Sequence, residues 1–296
     1  MKQKALLHIT FKTDHLKRHA HLFSIPIRIF MLSLPLIFNA CISQTNQKNS
    51  VPSSIVPEEK SLIDTSKVKL CERFLLPDGF ERVTVESGSY PLFLRELKLK
   101  PYGSKVCYFD GTYKTKPNVY CAVIDQEIDK VDLQQCADAV MRLRAEYLYS
   151  SKDYDAIHFN FLSDGKPRYF RDYAKGDYSY KKFRAYMRYV FSYANTASLK
   201  REMIPVEDLS TMQIGDVFIQ SGNPYGHAVI VLDVAENKEG KKIFILAQSY
   251  MPAQETQILI NPQNGKLSPW FELSTGELRT PEWTFNFSDL RRFKDE

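Results

Sequence analysis

From about Val68 onward the chain breaks into short apolar runs separated by turn residues. Apolar positions recur at helical spacing over two long segments. Residues 132–149 carry Leu133, Cys136, Val140, Leu143 and Tyr147 at intervals of three and four, which predicts a helix with Asp132 as its N-cap. Residues 182–194 carry Phe183, Tyr186, Met187, Val190 and Phe191, which predicts a second helix with Asn195 as its C-terminal cap. A shorter helix is expected over 92–99, closed by Pro101 and Gly103. Strands are expected at 74–80 and 82–85 around a Pro-Asp-Gly turn. A pair is expected at 105–109 and 119–124 with Asp110-Gly111 in the connection, and single strands at 156–161, 216–220, 227–234 and 242–247. No internal repeat interrupts this order, which predicts one α+β domain over 68–296.

The first 67 residues follow a different pattern. A basic segment leads into an apolar run over 29–38, too short to span a bilayer and of the length of a signal-peptide core. Asn39-Ala40-Cys41 follows, and a small residue before cysteine at this place resembles the lipobox of bacterial lipoproteins. That resemblance implies a signal peptide over 1–40, cleavage before Cys41, and acyl chains on Cys41 that hold the protein to a membrane of the cell envelope. Phe38 departs from the usual leucine, and a plain cleaved signal with a chance cysteine is the alternative. Residues 41–67 are polar and Ser/Pro-rich, as a tether would be.

Composition narrows the function classes. At 296 residues, 44% hydrophobic and 25% charged, the chain is neither disordered nor fibrous. Its net charge of +5 comes from the leader. Six of the 40 Lys/Arg and one of the 35 Asp/Glu lie in residues 1–40, leaving 34 of each, so no nucleic-acid partner is expected. Four of the six histidines also lie there; only His158 and His227 remain, too few for most metal sites. No Gly-rich phosphate loop, Gly-x-Ser-x-Gly elbow or Cys-x-x-Cys is present, and no cofactor is expected.

Several stretches together are similar to a family of exported bacterial proteins, domain of unknown function 4846. They include Arg73-Phe-Leu-Leu-Pro-Asp-Gly-Phe80, the run from Leu133 through Cys136 to Leu148, Gly226-His227-Ala228-Val229, Ala247-Gln-Ser-Tyr-Met-Pro-Ala-Gln254 and Thr280-Pro-Glu-Trp283. The similarity covers nearly all of 70–293 and implies no activity.

A shorter similarity, over about 180–250, carries chemistry. Gly215-Asp216-Val217, then Gly226-His227 opening a strand, then Gln248 ending the next strand resemble the papain-like cell-wall hydrolases of the NlpC and CHAP groups. The resemblance implies a papain-like core, an antiparallel sheet packed on helices behind an N-terminal β-rich extension. It makes His227 the general base and Gln248 the residue that orients its ring. Those enzymes place their nucleophilic cysteine on the helix before the Gly-Asp strand, whereas here that helix begins Lys181-Lys182-Phe183-Arg184-Ala185.

Cys136 is the substitute. It falls in the first turn or so of its predicted helix, where the dipole favours a thiolate, and Gln134 and Gln135 offer amide donors to an oxyanion. Its place on the apolar stripe equally fits an inert buried thiol. His158 reads as a strand histidine. Cys71, Cys107, Cys121 and Cys136 could pair in an oxidising compartment, with Cys107 and Cys121 on neighbouring predicted strands. Asp216 reads as organising its turn, Asp233 as facing solvent, and Arg142, Arg144 and Glu146 as making surface or interdomain pairs. Two functions follow. One is an envelope lipoprotein with cysteine amidase or peptidase activity on peptidoglycan or a related substrate, through Cys136, His227 and Gln248. The other is a non-catalytic lipoprotein of the same fold that binds a wall fragment or an envelope protein.

Overall fold

The computed structural model describes residues 61–222 and 225–294. The expected signal peptide, Cys41 and the tether up to residue 60 lie outside them. The first half contains α1 (Leu70–Arg73), β1 (Phe80–Arg82), α2 (Tyr90–Arg95), β2 (Tyr120–Val123) and α3 (Cys136–Ser150). Then come β3 (His158–Asn160), β4 (Pro167–Tyr169), α4 (Phe170–Ala174), α5 (Tyr180–Phe191), α6 (Thr196–Glu202) and β5 (Met203–Pro205). The last part is strands: β6 (Val217–Gln220), β7 (His227–Asn237), β8 (Lys242–Gln248) and β9 (Gln257–Leu259). It closes with β10 (Trp270–Glu272), β11 (Glu277–Arg279), β12 (Thr284–Asn286) and β13 (Leu290–Phe293).

The main sheet has nine strands in antiparallel pairs, ordered β2-β9-β8-β7-β6-β13-β5, with β1 also on β7 and β10 also on β8. Its centre is β7, whose first nine residues are all buried; a strand covered on both faces needs a continuous apolar run, which residues 228–232 supply. Helices α2 and α3 pack on β7, and α6 packs on β6. The result is an α+β fold built around one antiparallel sheet, with strand and helix in nearly equal amounts among the described residues.

Several sequence expectations change. The segment before α3 is not a β-rich extension: β1 and β2 are short and join the main sheet. Residues 105–109 and 119–124 do not pair with each other. The first makes only isolated bridges, from Cys107 to Tyr113 and from Tyr108 to Gln254, while β2 pairs with β9. Cys107 and Cys121 therefore do not sit on paired strands, and all four described cysteines are free thiols. Asn195 caps the following helix instead of the preceding one. Its Oδ1 accepts from the N–H groups of Ala197 and Ser198 at 2.9 and 3.1 Å, and Ser198 Oγ accepts from Asn195 N–H. Residues 61–67 lie on the domain: Leu75 N–H reaches Leu62 O, and buried Arg73 donates to Lys67 O and Lys100 O.

Two buried carboxylates lock strands to their surroundings. Asp216 accepts from Gln213 N–H, as its turn requires, and also forms a two-point pair with Arg292 at 2.7 and 2.8 Å. Asp233 does not face solvent. It is fully buried at a bulge in β7, with Arg82 Nε at 2.7 Å and Arg95 Nε at 2.8 Å on its two oxygens. One carboxylate thus ties β1 and α2 to the central strand.

Candidate active site

His227 opens β7 and Gln248 closes β8. The register Ile230↔Ala247, carried outward, sets 248 opposite 229, so residues 227 and 248 share a sheet face as diagonal neighbours. Their side chains meet, with His227 Nε2 and Gln248 Oε1 2.8 Å apart. Gly226 is needed just before the histidine, because a Cβ there would strike the Gln220 carbonyl oxygen and the Thr196 hydroxyl.

The pair continues into charge. Gln248 Nε2 donates to Glu282 Oε2 at 2.8 Å, and Lys114 Nζ donates to the same oxygen at 2.6 Å. Lys116 lies 3.4 Å from the other oxygen. An ionised carboxylate only accepts, so Glu282 obliges Gln248 to turn its NH₂ outward and its carbonyl toward His227. The ring must then carry its proton on Nε2, leaving Nδ1 as the acceptor. Neither Lys114 nor Glu282 was singled out by the sequence chemistry; the signal available was the Thr280-Pro-Glu-Trp283 run shared with the family.

Aromatic rings enclose the imidazole: Tyr250 at 4.8 Å, Trp283 at 5.3 Å and Phe285 at 5.8 Å between centroids. With 1% of His227 exposed, burial drives its pKa down to about 4, against the opposing pull of the Gln248 hydrogen bond. At neutral pH the ring is an uncharged base.

Cys136 is the first residue of α3. Asp132 does not cap the helix; its Oδ1 accepts instead from Gln135 Nε2 and from Ala253 N–H at 2.7 Å. Ser249 Oγ, next to Gln248, donates to Gln134 O at 3.2 Å and Gln254 O at 2.6 Å. These bonds hold the start of α3 against the end of β8, and the helix packs on β7. Backbone N–H groups of Ala228, Ala137 and Cys136 itself face the sulfur and favour the thiolate. Burial outweighs them, with the Asp138 charge acting in the same direction, and pushes the thiol up to about 11; 6% of Cys136 is exposed. Ala228, whose N–H favours the thiolate, is the residue after His227 in β7. Among the described residues the thiol makes no hydrogen bond to the imidazole. Two residues before Cys136 in the chain, buried Gln134 accepts from Arg142 Nη1 at 2.7 Å through its side-chain oxygen, and its Nε2 amide has no partner. Arg142 and Arg144 are buried, not at the surface: Arg142 also pairs with Glu146, and Arg144 lies over Tyr90, Tyr147 and Phe293.

Asp138 shares this corner. Its Oδ2 accepts from Gln135 N–H at 3.0 Å, and burial raises its carboxyl to about 8 although it sits near a helix N-terminus. The folded chain thus keeps a proton that the unfolded chain gives up above about 3.8. That contribution to stability is complete below 3.8 and is lost as pH rises toward 8. Asp138→Asn keeps the acceptor for Gln135 N–H and removes the titration. Urea unfolding between pH 4 and 9 should show wild-type stability falling relative to the variant by at most about 1.4 kcal/mol per pH unit. Parallel curves would mean the carboxyl does not stay protonated.

His158 is a strand histidine bonded through Nδ1 to Ala156 O at 2.9 Å, apart from this cluster. Cys71, Cys107 and Cys121 are elsewhere; burial raises Cys121 to about 12. The segment beginning Lys181 falls in α5 (Tyr180–Phe191), which is separated from β6 by α6 and β5; of the two helices that pack on β7, α2 and α3, it is α3 that carries a cysteine. Among the described residues no group of three or more His, Cys, Asp or Glu could hold a metal ion, and no helix is long and apolar enough to cross a membrane. A family model described as a domain of unknown function (4846) matches residues 70–292. No curated protein and no solved structure matches the chain.

Proposed function

The chain belongs to this family, domain of unknown function 4846, and we propose that its folded part is a cysteine hydrolase of papain-like plan, held at the cell envelope by an acylated Cys41 and acting on amide bonds there. The supporting observation is the meeting of three elements: a cysteine opening a helix, a histidine opening the strand under it, and a glutamine on the next strand 2.8 Å from the ring. The His227–Gln248–Glu282 chain presets the tautomer that a base needs.

In the proposed reaction Cys136 Sγ attacks the amide carbonyl carbon while its proton passes to His227 Nδ1. The unpartnered Gln134 Nε2 donates to the developing oxyanion. The C–N bond breaks as His227 returns the proton to the leaving amine. Water, deprotonated by the same ring, then attacks the thioester; the C–S bond breaks, the acid product leaves, and the thiol regains its proton. Tyr250, half-buried over the ring, must shift to admit a substrate.

A second reading, a non-catalytic binding protein, draws on the burial of both groups and on pKa values of about 11 and 4, which disfavour a resting thiolate–imidazolium pair. Iodoacetamide labelling of Cys136, followed by peptide mass spectrometry across pH 5–10, separates the two. The hydrolase reading expects labelling of the folded chain at pH 7 that slows by at least about tenfold in His227→Ala. Labelling that begins only when the chain unfolds, equally in both, overturns it.

A further inference from the structure

We propose that the groove walled by Tyr102, Lys105, Tyr113, Lys114, Lys116 and Tyr120 binds a carboxylate-bearing saccharide. This rests on the hydrolase reading and names the substrate class for it. The cavity is about 610 Å³, and no aspartate or glutamate is among its lining residues. The chain beyond residue 40 is neutral, so the two exposed lysines of the groove, Lys105 and Lys116, are a local excess of positive charge; buried Lys114 is already bonded to Glu282, and the three lysines with that one carboxylate leave a net charge of about +2. Two large aromatic side chains stand open in the same place, Tyr102 at 54% and Tyr113 at 58% exposure.

Lysines and open tyrosines together fit a ligand with both anionic groups and flat, partly apolar ring faces. An acidic peptide would satisfy the lysines and leave the rings uncovered. A nucleic acid would call for a wide positive field that the neutral chain lacks. The groove is preformed: Val106 N–H donates to Tyr120 OH at 3.0 Å, Lys114 N–H donates to Val106 O at 2.9 Å, and Tyr108 N–H donates to Thr112 O at 2.8 Å.

It also adjoins the candidate site. Lys114 Nζ is bonded to Glu282 Oε2 and to Gln254 Oε1 at 3.1 Å, and it sits 5.6 Å from the Tyr250 ring that packs on His227. Lys116 reaches the other oxygen of Glu282 from an exposed position. A saccharide held by this wall lies beside the residues that orient the imidazole.

The test is calorimetric titration of the full-length Cys136→Ala chain in detergent with tetragalacturonate, its methyl ester, chitotetraose and tetraglutamate. Tetragalacturonate should bind with Kd below about 1 mM. Methyl esterification, the Lys105→Gln/Lys116→Gln double variant, or the Tyr102→Ala/Tyr113→Ala double variant should each weaken it about tenfold, and salt should weaken it further. Equal affinity for the ester or for chitotetraose, tetraglutamate binding as tight as the saccharide, or no saturation would each overturn the proposal. Because binding is read without the thiol, saccharide binding beside an inert Cys136 would leave the groove standing and remove the hydrolase reading. A reactive, hydrolytic Cys136 with an empty groove would do the reverse.

Discussion

On the proposed hydrolase reading, Cys136→Ala is expected to abolish hydrolysis of envelope amide substrates, with kcat/KM falling at least about 10³-fold, because its sulfur is the assigned nucleophile. Stability should fall by only about 1 kcal/mol, the usual scale for one small buried group. The pH profile of the wild type carries the mechanism. The ring acts as a base only when uncharged, and burial lowers its pKa to about 4, so activity should be lost as pH falls through 4. The thiol, pushed up to about 11, should add nothing below pH 10. Product release measured from pH 3.5 to 10 should therefore rise to a broad plateau, with no fall near neutrality. A bell centred near pH 7, or turnover surviving in Cys136→Ala, would remove the assigned roles.

Asp233→Ala should destabilise the folded unit by about 3–5 kcal/mol. The carboxylate is fully buried and is the shared partner of Arg82 and Arg95, so its removal strands one guanidinium that is nearly buried and one that is largely so. The midpoint of thermal unfolding should drop by roughly 10 °C. Because β1 and α2 both reach β7 through this residue, proteolysis of the variant should cut first between residues 80 and 95. An unchanged midpoint would mean that water satisfies both arginines once the pair is gone.

The sequence anticipated the local features of the site. Spacings of three and four marked α3 and α5 to within a few residues, and the apolar run over 228–232 after His227 marked the central strand. Gly226-His227 and Gln248 were placed on consecutive strands by two short apolar runs and by their resemblance to the papain-like hydrolases; that they face each other follows from the register of β7 and β8. Membership of the family was legible from motifs spread over the whole domain.

What escaped was long-range. Asp132 looked like a helix cap, yet its carboxylate is drawn to Ala253, 121 positions away. Asn195 looked like the end of one helix and begins another, since a capping asparagine serves whichever N–H groups the chain turns toward it. Asp233 looked solvent-facing because nothing near it in sequence reveals that Arg82 and Arg95, 151 and 138 residues distant, converge on it. Lys114 and Glu282, 168 residues apart, were invisible for the same reason.

By itself, then, the sequence determined the α+β class, the family and the helix that carries Cys136, and its resemblances pointed to His227 and Gln248 on consecutive strands. The class and the helix depend on periodicity over a few residues, and the family and the histidine–glutamine assignment on short motifs shared with known families. Only the tertiary structure decided that α3 meets the histidine strand, that Glu282 and Lys114 set the glutamine and hence the ring tautomer, and that burial holds thiol and imidazole uncharged. Those properties depend on which distant segments share a dry interior, and charge and desolvation act through space, not along the chain.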